Sequence, residues 1–317
     1  MSPIDDRPWV DLKTDYAFKQ LFGQPQTTDI LRAFLNGVLH REGADAIAQV
    51  RVANSEQAAT HYGGKTKRLD IYAQTDRQER INIEIQVGRE PATVPRALLY
   101  WASMFEAQAV QGMDYRDLAP TLSINVLNFR LFHSTADYHT TYHIYQDPGH
   151  LGQLTDMLAL HMIELPKFRR LWRQGGIDLF DDGSVPWLLL LDASKNARNR
   201  AILEDLAMSD TTLDHALRVW EEISHDPDQY AAFLSRRKAL LDEASQLHRA
   251  ETRGLERGLA RGMREGEIKG KLEGKLEGQL EVARTMLASG EPLERVMLFT
   301  GLDRETLRAV QLGDPHH

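Results

Sequence analysis

Two carboxylates stand on one polar row in the first third of the chain. Asp70 lies in Leu69-Asp70-Ile71-Tyr72-Ala73 and Glu84 in Ile81-Asn82-Ile83-Glu84-Ile85-Gln86-Val87. Both runs alternate with period two and so predict half-buried strands; the polar segment Thr75-Asp76-Arg77-Gln78-Glu79 between them is of hairpin length. A loop centred on Arg77 sets Ile71 across from Ile83 and Leu69 across from Ile85. On the other face it opposes Asp70 to Glu84 and Tyr72 to Asn82, with Gln86 extending the row. Opposed carboxylates repel on a sheet, and a hard cation held by oxygen ligands would relieve them. The same alternation also suits a sheet whose outer face leaves both acids in water.

The flanking segments are the elements that must position this hairpin. A helix is expected from an N-cap at Thr14 through DYAFKQLF, with Phe18, Leu21 and Phe22 on one stripe and Gly23 as its stop. Asp15 and Lys19 share a face of it, which on spacing alone is a surface ion pair worth about 0.3 kcal/mol. A second helix runs from Asp29 to Leu39 with Ile30, Leu31, Phe34, Leu35 and Val38 inward, and Ile47 to Val52 reads as a strand leading to a Gly63-Gly64 turn. After breaks at Pro91 and Pro95, a helix from Arg96 to Gly112 offers Leu99, Met104, Ala107 and Val110 to the core and carries Arg96 and Tyr100 on one edge. Leu122 to Phe129 suits a buried strand, and Tyr138 to Tyr145 and Met157 to Glu164 suit two more. This order predicts an α/β sandwich around a mixed sheet.

The chain has 317 residues, 42% of them hydrophobic, no cysteine and a formal charge of −8. Thiolate metal sites and disulfides are thereby excluded, and any metal must take carboxylate, carbonyl or imidazole ligands. His215, His225 and His248 have no metal-site spacing. The acidic balance argues against a generally basic, nucleic-acid-coating protein but allows a local basic groove. No apolar core of signal-peptide length and no run approaching about 18 apolar residues is found, so a cytoplasmic protein without a membrane partner is expected.

We divide the chain into residues 1–166, a helical region 167–250, a glycine-periodic tail 251–290 and a terminal helical pair 291–317. Helices are expected at Pro186 to Leu191, Ala201 to Met208, Leu213 to Ile223 and Gln229 to His248, packed on the sheet domain or on one another. In the tail, Gly254, Gly258, Gly262, Gly266, Gly270, Gly274 and Gly278 recur every fourth residue. Each interior glycine costs a helix about 1 kcal/mol. The segment therefore reads either as a self-association element, making the protein a homo-oligomer, or as a partly ordered charged linker. The pair PLERVMLFT and DRETLRAVQL, with Asp303 as a cap, has a helix-turn-helix outline. Its second helix has no basic stripe, which favours a capping hairpin over a DNA reader.

LKTDYAFKQLFG, RLDIYAQ, INIEIQV, RALLYWASMFEAQAVQGMDY and LSINVLNF together resemble the Rpn family of recombination-promoting nucleases and transposases, a branch of the PD-(D/E)XK superfamily. The resemblance spans residues 10 to 165, and the tail is also similar to tails in that family. It implies a restriction-endonuclease-like core that cuts DNA with Mg²⁺, Mn²⁺ being a possible substitute. Asp70 and Glu84 match the motif acids and Gln86 the lysine position, while Leu69 stands where the motif has proline. Neutral Gln86 orients water by hydrogen bonds only. Lys19 is the candidate replacement cation. The implied metal set is Asp70, Glu84, Asp15 and the Ile85 carbonyl; Arg96 and Tyr100 either contact phosphate or pack. A rival expectation is a non-catalytic DNA-binding or assembly module that keeps the fold.

Overall fold

The computed structural model describes residues 8–53, 69–89, 91–147, 149, 152–180 and 182–312. Helices α1 (Asp15–Phe22) and α2 (Thr28–Val38) precede strands β1 (Val50–Ala53), β2 (Ile71–Thr75) and β3 (Arg80–Gln86). Helix α3 (Thr93–Glu106) leads to β4 (Thr121–Leu127), β5 (His139–Tyr142) and β6 (Leu158–Glu164). Then follow α4 (Leu165–Arg173), α5 (Val185–Asp192), α6 (Ala197–Ala207), α7 (Thr211–His225), α8 (Pro227–Ala288), α9 (Leu293–Thr300) and α10 (Arg304–Leu312). The expected Gly63-Gly64 turn lies outside the described residues.

The strands form one sheet in the order β1-β2-β3-β4-β6-β5. β3, β4 and β6 run parallel, whereas β1, β2 and β5 pair antiparallel with their neighbours. The sheet is thus mixed, as its sequence order requires: a tight hairpin joins β2 to β3, and a helix crossover joins β3 to β4. The hairpin has the register expected, Ile71 facing Ile83 and Tyr72 facing Asn82. Gln78 takes a positive φ in the loop, and Thr75 N–H donates to Glu79 O at 3.1 Å.

One sheet face packs on the main core. The expected stripes of α1 (Phe18, Leu21, Phe22) and α2 (Ile30, Leu31, Phe34, Leu35, Val38) are buried there with Ile71, Ile81 and Ile83. Helix α5 is apolar on every side, and its four consecutive leucines Leu188 to Leu191 are fully buried in the same core, as a helix without a polar face must be. α7 joins them through Leu213, Ala216, Trp220 and Ile223. Helices α4 to α7 therefore share the core beneath the sheet.

The opposite face carries Asn82, Glu84 and Gln86, all buried. The alternative of two acids in open water is thus overturned: α3 lies over this face, Tyr100 and Met104 clustering with Leu69 and Tyr72, and Ala97 with Leu127 and Met162. α3 itself differs from expectation. Pro95 falls in its first turn, where a missing N–H is harmless, and the helix stops at Glu106. Gln108 then bonds Ala119 O, Ala119 N–H and Thr121 Oγ1, which ties the chain to the start of β4. Of the expected core residues only Met104 is buried. Ala107 and Val110 lie beyond the helix and Leu99 on its outer side, 48% exposed. Thr14 stands at the N-cap of α1, yet its hydroxyl donates to Asp11 O instead of capping the helix.

The described chain divides into two compact units, Met1–Lys238 and Ala239–His317. In the second, the end of α8 shares a small core with α9 and α10, formed by Ala283, Val296, Leu302 and Leu307. Gly301 turns the chain between α9 and α10 at φ 72°, and Asp303 caps α10 by accepting from Thr306 N–H at 2.8 Å. The glycine-spaced part of α8 leaves Leu255, Leu259, Met263, Ile268, Leu272 and Leu276 exposed. Among the described residues no helix is long and apolar enough to cross a membrane.

Candidate active site

The backbone ladder between β2 and β3 reaches Ile71 and Ile83 and goes no further. Beyond that point side chains take over. Asp70 N–H donates to Glu84 Oε1 at 3.1 Å, and Ile85 N–H donates to Asp70 Oδ2 at 3.1 Å. The end of the hairpin is therefore opened by the two acids, each of which occupies a backbone donor of the other strand. Gln86 is next in the row: its Oε1 accepts from Thr93 Oγ1 at 3.3 Å, and its carbonyl accepts from Asn128 N–H at 2.8 Å.

Helix α1 supplies the remaining charges. Lys19 Nζ lies 2.7 Å from Asp15 Oδ1 and 3.2 Å from Asp70 Oδ1, so one ammonium bridges two carboxylates. This is more than the surface ion pair that spacing alone suggests. Arg236, at the start of α8 and in the same unit, places Nη2 3.1 Å from Asp15 Oδ2.

Burial lifts Asp70 to about 6; Lys19 opposes the rise and Asp15 adds to it. Burial lifts Glu84 further, to about 8, reinforced by the charge on Asp70 and opposed by Arg96. Burial also acts upward on Asp15, but the hydrogen bond and charge of Lys19 outweigh it and hold that carboxyl below its usual range. Two adjacent carboxyls that resist ionisation and one that does not are what a buried like-charge cluster with a single ammonium produces.

The structure brings Asp15, Lys19, Asp70, Glu84 and the Ile85 amide together, with Gln86 next along the strand. Tyr100 packs with Leu69, Tyr72 and Met104, while the charge of Arg96 reaches Glu84. Thr93 and Arg236 were not foreseen. Thr93 sits between two prolines with no periodic signal, and Arg236 is 221 positions from its partner in a helix that reads as plain surface.

Among the described residues no group of three or more His, Asp or Glu side chains is arranged to hold a metal ion. Asp70 and Glu84 are two adjacent carboxylates, each bound to a backbone N–H of the other's strand. They fit Mg²⁺ in donor chemistry, because that ion commonly uses one or two carboxylates and keeps several waters.

Two family models match the chain. Residues 12–250 match the model of the PD-(D/E)XK nuclease family transposase. Residues 276–312 match the Rpn/YhgA-like nuclease family, C-terminal HTH domain. That match assigns the terminal segment to a helix-turn-helix domain, where its charge pattern had favoured a capping hairpin. No curated protein and no solved structure gives a match. Because the first match covers more than half the chain and the second, of the same family type, covers its end, the chain belongs to the PD-(D/E)XK nuclease family transposases of the Rpn type.

Proposed function

We propose that the protein is a Mg²⁺-dependent DNA endonuclease. The observation that carries this reading is the convergence of Asp70 and Glu84 with Lys19 at the hairpin end, inside a chain matched as a nuclease. Asp70 and Glu84, with the Ile85 carbonyl, would hold the metal, while Asp15, paired with Lys19 and Arg236, would act through Lys19 and not as a ligand; when bound, such an ion activates water and offsets phosphate charge. Lys19 holds Asp15 and Asp70 in place and supplies positive charge where a phosphate would sit. Gln86, fixed by Thr93, orients the attacking water by hydrogen bonding. The charge of Arg96 acts on Glu84; Arg96 would contact a backbone phosphate, and Tyr100, packed with Leu69, Tyr72 and Met104, secures the helix that carries it. The helix-turn-helix match supports DNA as the partner, and the exposed apolar row of α8 supports self-association through the tail.

A plasmid-nicking assay with Mg²⁺, Ca²⁺ and EDTA tests the reading. Wild-type protein should nick in Mg²⁺ and not in EDTA, and Asp70→Ala should lower the rate at least about 100-fold while the protein stays folded. Full nicking by purified Asp70→Ala would sink the mechanism. DNA binding without nicking in any divalent metal would favour the non-catalytic module.

A further inference from the structure

A polar cavity of about 380 Å³ opens at Asn128, just past the end of β4. Its walls include Lys13, Arg169, Lys195, Asn128, Asp11 and Asp192. Two connections link it to the acidic row. Asn128 N–H donates to the carbonyl of Gln86, at the carboxyl ends of the parallel strands β3 and β4. Lys13 stands two residues before Asp15. In open α/β sheets, ligands bind outside the carboxyl ends of the strands.

The cations are held rigidly. Lys13 is buried, donates to Leu191 O at 2.9 Å and pairs with Asp11 at 2.8 Å. Arg169 donates from Nη1 to Asp192 Oδ1 at 2.8 Å and from Nη2 to Asn128 Oδ1 at 3.0 Å. With its oxygen engaged, Asn128 keeps its NH₂ as a donor. Lys195 is exposed, and among the described residues no ion pair neutralises it. Three cations against two carboxylates leave one net positive charge, on a chain of formal charge −8. Such a site is too weakly positive to capture a free anion tightly. It suits an anion delivered on a strand already bound next door.

We propose that this cavity is a phosphate subsite, which holds a phosphodiester group of the DNA strand adjacent to the one placed at Asp70 and Glu84. Lys195 supplies the mobile charge, Arg169 and Lys13 the fixed field, and Asn128 a neutral donor. The inference rests on the nuclease reading and adds to it where the strand continues.

The test uses full-length protein, a fluorescent duplex in EDTA, and binding measured across a salt series. Lys195→Gln and Arg169→Gln should each weaken binding roughly tenfold. Each should also reduce the slope of log affinity against log salt by about one, as loss of one phosphate contact does. Arg218→Gln, which removes an exposed cation outside the cavity, should change neither. In Mg²⁺, Lys195→Gln should raise KM for plasmid nicking and leave kcat in place, the signature of lost binding shared by ground and transition states. Because Lys195 is exposed, its variant should melt as wild type does. Wild-type binding and nicking, with salt slopes unmoved in both cavity variants, would overturn the subsite and leave the nuclease reading standing. Absence of any DNA binding by wild-type protein would overturn both.

Discussion

At the level of single residues, the acidic pair has a price in the metal-free protein. A carboxyl whose pKa rises on folding binds its proton more firmly in the folded chain. Its stabilising effect is therefore complete below the unfolded value near 4 and lost as pH rises through the folded values, about 6 for Asp70 and about 8 for Glu84. The melting temperature in EDTA should accordingly fall between pH 5 and pH 8.5, and Glu84→Gln should flatten that fall. Added Mg²⁺ should raise the melting temperature more at pH 8 than at pH 5, because protons and metal compete for the same oxygens. A wild-type melting curve that does not move with pH would show that the pair is not buried as described. Asp70 and Glu84 were legible as one row because strand alternation fixes which side chains share a face; helix spacing paired Asp15 with Lys19, and only the family resemblance set that pair beside the row. Lys13 and Arg169 were not, since they meet through tertiary packing that no local period encodes.

At the level of elements, the helices that carry the main core were readable wherever one apolar stripe repeated, as in α1 and α2. α3 misled because its leucines face outward while Thr93 and Ala97, small and unremarkable in sequence, face the sheet. The extent of the tail helix was also hidden: interior glycines argue against helix locally, yet α8 runs unbroken through all of them. One glycine has a tertiary cause that sequence alone does not show. At Gly37 in α2, an added Cβ would lie 2.2 Å from Gly183 O, a backbone atom with no easy retreat. Gly37→Ala should destabilise the protein by about 1–3 kcal/mol, the range for overpacking. Chemical denaturation would read this directly, and unchanged stability would mean that the α2 contact is looser than it stands. By contrast, Ala at Gly258 or Gly270 meets nothing within 4 Å and should be tolerated.

At the level of the whole molecule, two compact units share one chain, and the nuclease match falls almost wholly on the first. Deleting Arg253 to His317 should leave a folded core that retains its Mg²⁺ response. That core should sediment as a smaller assembly than the full chain by more than the mass removed. If both proteins sediment as monomers at micromolar concentration, the tail does not associate. Nicking by the shortened core should survive, whereas breakage of both strands should fall, because one site cuts one strand.

The seven open glycines of α8 bear also on time. With about 1 kcal/mol lost at each and nothing packed against the glycines, the stretch from Gly254 to Gly278 is held by its backbone bonds and by exposed ion pairs such as Arg261–Glu265 and Lys271–Glu267, which add only a few tenths of a kcal/mol each. Its amide protons should trade with deuterium on a far shorter clock than those near Phe233, which is buried in the main core, or near Ala283, which is buried in the terminal one. A single unbroken helix would thus show fast exchange in its middle and slow exchange at both anchored ends. A second chain laid along the middle would slow the fast part first.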